Sequence, residues 1–201
     1  AYLLHQLLAA LFGSDAPTRL CERLEAYMMK AAREAKRRTS WVRPDAAYEA
    51  ALARYVRAMT TDAAVATALA PFAGRLAALG FVNTISQTVL KHCVAGVPDL
   101  YRGAELLDLS LVDPDNRRPV DFETRAAWLR EMRPWAAAAD EKLKLYVTAR
   151  LLRLRRARPD LLGAGEHRGL EAPRGQLAFA RRRDQRALVV VVPRFPSRAR
   201  R

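Results

Sequence analysis

The segment 96–121 holds the densest group of side chains that could bind a hydroxyl-rich ligand. It carries six acidic groups and an adjacent arginine pair, with an asparagine and a tyrosine among them. Carboxylate, amide and guanidinium groups can each contact two neighbouring hydroxyls, so this mixture suits a sugar. The candidate sugar-binding residues of this segment are Tyr101, Glu105, Asp113, Asp115, Asn116, Arg117 and Arg118. The alternative is a salt-bridged loop, in which the two arginines neutralise Asp113 and Asp115.

A second candidate is the polar connection 39–44, which contains Ser40 and Trp41. A tryptophan on a polar connection is less expected than a tryptophan in a core. Its ring could stack on a flat apolar ligand face, such as that of a sugar. It could equally cap the two helices that the connection joins. The residues alone leave both interpretations open.

Other kinds of site have little support. The histidines His5, His92 and His167 are too dispersed in sequence to define a metal site. Cys93 lacks a convincing base partner for nucleophilic catalysis. No glycine-rich loop of the kind that cradles phosphate is present. We therefore expect neither a metal nor a cofactor.

The first eighty residues are predicted to be helical, because apolar side chains recur there at helical spacing. The predicted helices cover 2–12, the stripe 20–35, the stripe 48–59, and the stripe 65–79, which ends at Gly80 and is kinked at Pro71. Asn83 is expected to cap a further helix that reaches Cys93.

A short strand is predicted over 96–101, directly after that helix, as in an α/β unit of a parallel sheet. The candidate residues that follow it would then lie at the carboxyl end of the strand, where barrels and parallel sheets build their sites. A helix from Asp121 to Pro134 and another over 143–154 come next. Strands over 168–172, 176–182 and 187–192, with a turn at Asp184, predict a small antiparallel region.

Charge is unevenly distributed along the 201 residues. The net charge is +14, made up of +4 in residues 1–80, −2 in 81–121 and +12 in 122–201. A basic, mostly helical module that binds nucleic acid is therefore one alternative. The sequence contains no zinc-finger spacing, ribonucleoprotein motif or basic zipper, so solvated arginine faces are the simpler interpretation.

Composition limits the cellular setting. Half of the residues are hydrophobic (51%), enough to bury a core. Two cysteines do not form a disulfide framework, which makes a reducing cytoplasm the default. We expect no transmembrane helix and no signal peptide.

Three stretches resemble one family, the maltooligosyltrehalose synthases of the α-amylase superfamily. The first is 33–49, with Thr39-Ser40-Trp41 at its centre, and the second is 83–105, which runs into Gly96-Val97-Pro98-Asp99. The third is 108–122, with the contiguous motif Asp113-Pro114-Asp115-Asn116-Arg117-Arg118. The resemblance extends over nearly the whole chain and corresponds to the C-terminal part of the family.

The resemblance implies an intramolecular transglucosylation. The α-1,4 linkage at the reducing end of a maltooligosaccharide becomes an α,α-1,1 linkage, through a nucleophilic carboxylate and an acid/base carboxylate. In the family these carboxylates lie on earlier barrel strands, so no catalytic residue is expected in this chain, which should be inactive alone. The partner expected is the remaining N-terminal part of the same enzyme, with no nucleic acid and no membrane. A degenerate, non-catalytic relative is the alternative.

The resemblance also implies a mixed, mainly α fold in four segments. These are a helical insertion (1–80), the last strand-helix part of a (β/α)8 barrel (81–157), an incomplete β-domain (158–194) and a disordered tail (195–201). The candidate residues of 96–121 would position substrate at the barrel mouth. Ser40 and Trp41 would help to close the pocket over the terminal glucose.

Overall fold

A computed structural model describes residues 2–131 and 141–198 of the chain. Its elements are α1 (Tyr2–Leu11), α2 (Pro17–Ala35), α3 (Ala46–Thr61), α4 (Ala63–Cys93), α5 (Phe122–Glu131), α6 (Glu141–Ala157), α7 (Pro159–Leu162), β1 (Glu166–Leu170), β2 (Gln176–Arg183) and β3 (Arg186–Pro193). The predicted class, mainly helical with a small antiparallel sheet, is confirmed. The chain divides into two compact units, one of residues 1–77 and 109–118, the other of residues 78–108 and 119–201.

Three helices bury one leucine-rich core in the first unit. Pro17 starts α2 with a fixed φ that suits a first helical turn, and Lys36 ends it in a left-handed conformation with φ of 55°. The Asp45 carboxylate accepts a hydrogen bond from the Tyr48 amide at 2.9 Å and so caps α3. The buried core residues are Leu4, Leu8, Leu11, Leu20, Leu24, Met28, Val56 and Leu111. Leu111 lies in 109–118, so this distant segment completes the core.

Helix α4 is longer than predicted. The expected end at Gly80 and the new cap at Asn83 are both wrong, because the helix is continuous from Ala63 to Cys93 and includes Pro71. A glycine inside a helix costs only about 1 kcal/mol relative to alanine. Apolar residues on both sides of Gly80 favour the helix enough to offset this cost.

The second unit packs helices against a three-stranded sheet of order β1-β2-β3. All pairings are antiparallel, and the β2–β3 hairpin turns at Asp184, whose φ is +51°. Its core consists of Cys93, Leu162, Phe179, Val190 and Val192. The predicted strands and the predicted turn are thus confirmed within one or two residues at most boundaries.

The predicted strand over 96–101 is wrong. Residues 97–101 have no regular secondary structure, and every strand pairing of the described residues lies within β1–β3. A strand requires a neighbouring strand for its backbone hydrogen bonds, and local sequence does not reveal whether one is present. Helix α7 was not predicted. Pro134, the expected end of α5, lies outside the described residues.

The four predicted segments remain a prediction about domains. In the expected disordered tail, Pro196–Arg198 form a single 3-10 turn, and residues 199–201 lie outside the described residues.

Helix α4 also has an unusual surface. It is long and apolar enough to cross a membrane by length and composition alone, with a mean hydropathy of 1.6 over eighteen residues and only 6% of that window buried. This is weak evidence for a membrane span, because core helices of soluble proteins pass the same test. Phe72 and Leu76 are among its exposed side chains. This surface is therefore one that a further partner could cover.

Candidate functional site

Arg23 of α2 fixes the loop 109–118. Its Nε and Nη2 donate to the two carboxylate oxygens of Asp115 at 3.1 and 2.8 Å. Nη2 also donates to the Leu109 carbonyl at 2.6 Å, and Nη1 pairs with Asp15. The three side chains are 8% (Arg23), 16% (Asp115) and 12% (Asp15) exposed, so water screens these charges little.

Asp115 is consequently a framework residue. Its Oδ2 accepts a further hydrogen bond from the Leu111 amide at 2.6 Å, and Arg118 lies 3.5 Å from Oδ1. Burial raises the pKa of Asp115, but the hydrogen bonds from Arg23 and from the Leu111 amide outweigh this, so the pKa lies below its ordinary value. Both carboxylate oxygens are occupied by protein groups, which leaves little capacity for a hydroxyl.

The rest of the loop is more accessible. Asp113 pairs with Arg117, and their side chains are 47% and 72% exposed. The Lys30 ammonium donates to the Asp113 carbonyl at 2.6 Å. The side-chain oxygen of Asn116 is buried and accepts no hydrogen bond from the described residues. The structure therefore contains both ion pairs of the salt-bridged alternative, while the sugar-binding role of these residues stays a prediction.

A second arginine, Arg125 of α5, fixes the loop that contains Glu105. It donates to Glu105 Oε1 at 2.5 Å, to the Gly103 carbonyl at 3.0 Å and to the Asp121 carbonyl at 2.9 Å. Gly103 has φ of +88°, and a Cβ there would lie 3.2 Å from the Val120 side chain, so only glycine fits without strain. Tyr101 is 51% exposed beside this turn.

Lys144 of α6 also holds the loop that contains Glu105. Its ammonium donates to the Leu106 carbonyl at 2.6 Å. Burial lowers the pKa of Lys144, and the positive charge of Lys91 lowers it further. The loop that carries Glu105 is thus held by two cations from two helices of the second unit.

Trp41 lies beside a cluster of hydrogen-bonded side chains in the first unit. Arg33 Nε and Nη2 donate to the Glu49 carboxylate at 2.8 and 2.6 Å, and the Thr39 hydroxyl donates to the same carboxylate at 2.6 Å. These bonds, the Arg33 bonds first, lower the pKa of Glu49 to about 2. The Arg33 guanidinium lies 4.8 Å from the centre of the indole ring of Trp41.

The indole of Trp41 is otherwise open to solvent, with 59% of the residue exposed. Ser40 is tied to its own turn, because its hydroxyl accepts from the Arg43 amide at 2.9 Å and its amide donates to the Arg43 carbonyl. The ring contacts α2 through Arg33 and still presents surface for a flat ligand. The roles of Ser40 and Trp41 in binding stay predictions.

The predicted residues therefore fall into two groups. Ser40, Trp41 and the loop 113–118 belong to the first unit, whereas Tyr101 and Glu105 belong to the second. Sequence reasoning missed Arg23, Arg33 and Arg125, which hold these segments in place. The Arg23–Asp115 pair joins residues 92 positions apart, so no local pattern signals it.

Metal binding has no support in residues 2–131 and 141–198. In these ranges no three histidine, cysteine or acidic side chains gather as metal ligands do. His92 is fully buried, and its Nδ1 bonds the Thr88 carbonyl at 2.7 Å. Burial lowers the pKa of His92, so the ring is a neutral core residue rather than a ligand.

Comparison with known proteins gives one consistent result. No family model matches the chain. A protein of Mycobacterium tuberculosis named as a maltooligosyl trehalose synthase is 37% identical over 171 residues, which are 84% of this chain and 21% of that protein.

Solved structures agree with this similarity. A crystal structure of a maltooligosyl trehalose synthase matches 96% of this chain with a TM-score of 0.88 and 29% identity. That of Arthrobacter ramosus maltooligosyltrehalose synthase matches 97% with a TM-score of 0.81 and 34% identity. The chain spans about a quarter of the length of these structures and about a fifth of the M. tuberculosis protein.

Proposed function

Since the chain matches the maltooligosyl trehalose synthases in sequence and in fold over nearly all of its own length, we propose that it is the C-terminal part of such an enzyme. The complete enzyme would convert the reducing-end α-1,4 linkage of a maltooligosaccharide to an α,α-1,1 linkage. The observation that carries this proposal is the joint match, 37% identity over 84% of the chain and a TM-score of 0.88 over 96%.

The proposed chemistry requires two catalytic carboxylates, and the proposal does not assign them to this chain. A retaining transglucosylation uses one carboxylate as nucleophile and another as acid and then base. We place both in the remaining part of the enzyme, on earlier strands of a (β/α)8 barrel. The released glucose has to stay bound, turn and attack through its anomeric hydroxyl, and water has to be excluded or hydrolysis competes. This chain would contribute to holding the sugar.

The accessible part of the loop 109–118 suits that task. The exposed Asp113–Arg117 pair offers an acceptor and donors to adjacent hydroxyls. The side-chain oxygen of Asn116 has no partner among the described residues, but it is buried and would contact sugar only after the loop adjusts. Asp115 and Arg23 would not contact sugar but would fix the loop that does. Tyr101 and Glu105, which belong to the second unit, would also position substrate.

Trp41 would close the pocket over the terminal glucose. Sugar rings have apolar faces formed by C–H groups, and an exposed indole binds such a face while excluding water. The Arg33–Glu49–Thr39 bonds hold the segment at which the indole is displayed. A ring held in this way loses little conformational entropy on binding.

An apolar groove of the second unit would receive another part of the same enzyme. The groove has a volume of about 490 Å³ between α5 and α6 and is lined chiefly by Leu100, Phe122, Leu129, Leu145 and Leu152. Phe122 is 61% exposed. The relatives have three to four times as much chain, so we propose that the remaining part of this enzyme covers the groove and the apolar face of α4.

The two cysteines support a cytoplasmic location for the enzyme, because both are free and buried.

The test is an assay of the protein encoded by the complete reading frame that contains this chain. Incubation with maltopentaose should reduce the reducing power of the solution without producing free glucose in equal amount, because an α,α-1,1 linkage has no reducing end. The 201-residue chain alone should leave reducing power unchanged. The proposal is wrong if the complete protein also leaves it unchanged, or if the chain alone is active.

A further inference from the structure

A polar cleft at one end of the sheet of the second unit gathers three arginines. The cleft has a volume of about 930 Å³. Arg174 comes from the turn before β2, Arg194 follows the end of β3, and Arg198 ends the 3-10 turn Pro196–Arg198. Ser197 and Gln176 also line the cleft. Three arginines from two segments of the chain, the turn before β2 and the stretch after β3, therefore line one cleft.

Backbone hydrogen bonds hold these segments together. The Arg194 amide donates to the Gly175 carbonyl at 2.7 Å, and the Gln176 amide donates to the Pro173 carbonyl at 3.0 Å. Gly175 has φ of +86°, which a side chain would strain, so the turn depends on glycine. The Arg198 amide donates to the Phe195 carbonyl at 2.8 Å. The frame of the cleft is thus ordered before any ligand binds.

Phe195 orients two of the arginines. The guanidinium carbons of Arg194 and Arg198 lie 4.6 and 5.1 Å from the centre of its ring. Contacts of this kind hold the guanidinium groups near the ring but leave their charge without a counter-ion. Their N–H groups remain able to donate to a further acceptor.

These three arginines differ in their electrostatic surroundings from the arginines of the chain that pair with a carboxylate. Exposed arginines such as Arg153 also have no ion pair among the described residues, so the distinguishing feature is that these three line one cleft. Arg23, Arg33, Arg57, Arg125 and Arg158 each pair with a carboxylate. Within residues 2–131 and 141–198, Arg174, Arg194 and Arg198 form no ion pair with a carboxylate. Grouped cations without counter-charges create a positive potential that attracts an anion.

We propose that this cleft binds a small phosphate monoester. A phosphate dianion offers three oxygens, and guanidinium groups bind such oxygens through paired N–H donors. The Ser197 hydroxyl and the Gln176 amide would contact the remainder of the ligand. The cleft accommodates a molecule the size of a hexose phosphate, whereas a nucleic acid would require a longer basic track. This inference is independent of the proposed synthase function.

The test is calorimetric titration of the 201-residue chain at low ionic strength with inorganic phosphate, with a hexose phosphate and with the uncharged hexose. The variant R174Q/R194Q/R198Q should bind phosphate at least tenfold more weakly than the unaltered chain. The control R153Q/R156Q/R183Q removes the same charge from exposed positions outside the cleft and should change affinity less than threefold. Circular dichroism of each variant checks its fold.

The single variant R174Q keeps the proposal testable if the triple variant does not fold, and it should weaken binding at least threefold. Binding of both phosphates but not of the hexose supports a monoester site. Equal weakening in the two triple variants would show a general charge effect and overturn the proposal. Absence of phosphate binding at about 10 mM and low ionic strength, a concentration in the range of weak sites, would also overturn the proposal. A DNA oligonucleotide serves as a further probe, and binding of DNA without binding of either phosphate would overturn the proposal as well.

Discussion

Removal of Arg23 tests how the loop 109–118 is held. The substitution R23M keeps much of the side-chain volume but removes all four hydrogen bonds to Asp15, Asp115 and Leu109. Breaking a buried ion pair from one side costs about 3–5 kcal/mol, because the other charge stays desolvated. Arg118 remains near Asp115 and Arg19 remains near Asp15, so we expect the lower limit, about 3 kcal/mol.

The assay is urea unfolding followed by tryptophan fluorescence in a W128F/W135F background, so that Trp41 reports on the first unit. A loss of about 3 kcal/mol corresponds to a fall in Tm of roughly 12–24 °C for a unit of this size. The control is R57M, which removes a bidentate pair with Glu25 in which the arginine is 63% exposed, and which should cost much less than R23M because solvent screens the pair. Trypsin should also cleave the loop faster in R23M.

Two results would refute this reasoning. If R23M and R57M lower the free energy of unfolding by the same amount, burial of the Arg23 cluster has no energetic consequence. If R23M is destabilised but trypsin cleaves after Arg117 at the unaltered rate, Arg23 supports the core and not the loop.

Three further results are expected from urea unfolding. Glu49 has a pKa of about 2 in the folded chain, against 4.5 in an unfolded chain. Its carboxylate therefore stabilises the fold above pH 4.5, and this stabilisation is lost as pH falls toward 2. The unaltered chain should be more stable than E49Q at pH 5, and this difference should shrink by pH 2. An equal advantage at both values would exclude a role for the charge. Burial lowers the pKa of His92, so the unfolded chain binds a proton more readily than the folded chain as pH falls below about 6.5. The free energy of unfolding should therefore fall between pH 7.5 and 5.5, and it should fall less in H92Q. Parallel plots of unfolding free energy against pH for the two proteins would contradict this. L24A should cost about 2–5 kcal/mol, because Leu24 is fully buried and leaves a cavity, and a cost below about 1 kcal/mol would show that the core is loosely packed.

Periodicity in the sequence predicted the elements that depend on local pattern. The apolar stripes of α2 and α3 and the alternation at the end of β3 each follow from which face of a single element is buried. The turn at Asp184 follows from residue type, because aspartate tolerates a left-handed conformation better than most residues. These elements required no knowledge of distant contacts.

Predictions that depended on distant contacts were wrong or missing. The segment 96–101 has the residues of a strand but no strand beside it in the described residues. The Arg23–Asp115 pair connects two segments that no sequence window contains together. In both cases the deciding interaction is tertiary. The expected end at Gly80 is a different case, because apolar residues on both sides continue the helix through the glycine.

Several arginine and lysine side chains have a structural role that the amino-acid composition did not predict. Arg23, Arg125 and Arg155 each donate to main-chain carbonyls of residues 92–121, and Lys30 and Lys144 do the same. Irregular segments leave carbonyl groups without partners from secondary structure, and buried carbonyls require hydrogen-bond donors to be satisfied. Part of the positive charge therefore maintains the loops that carry the candidate site.

The discontinuity of the first unit constrains its folding during synthesis. Leu111 completes a core whose other buried members all lie before residue 57, and Asp115 pairs with Arg23 of α2. A ribosome that adds about 5–20 residues per second needs about 2–8 seconds to extend the chain from residue 78 to residue 118. During that interval the first helices are exposed without their closing segment, while the early residues of the second unit are already made. Synonymous codons that change translation speed between residues 78 and 118 should therefore affect the yield of folded protein without altering a single side chain.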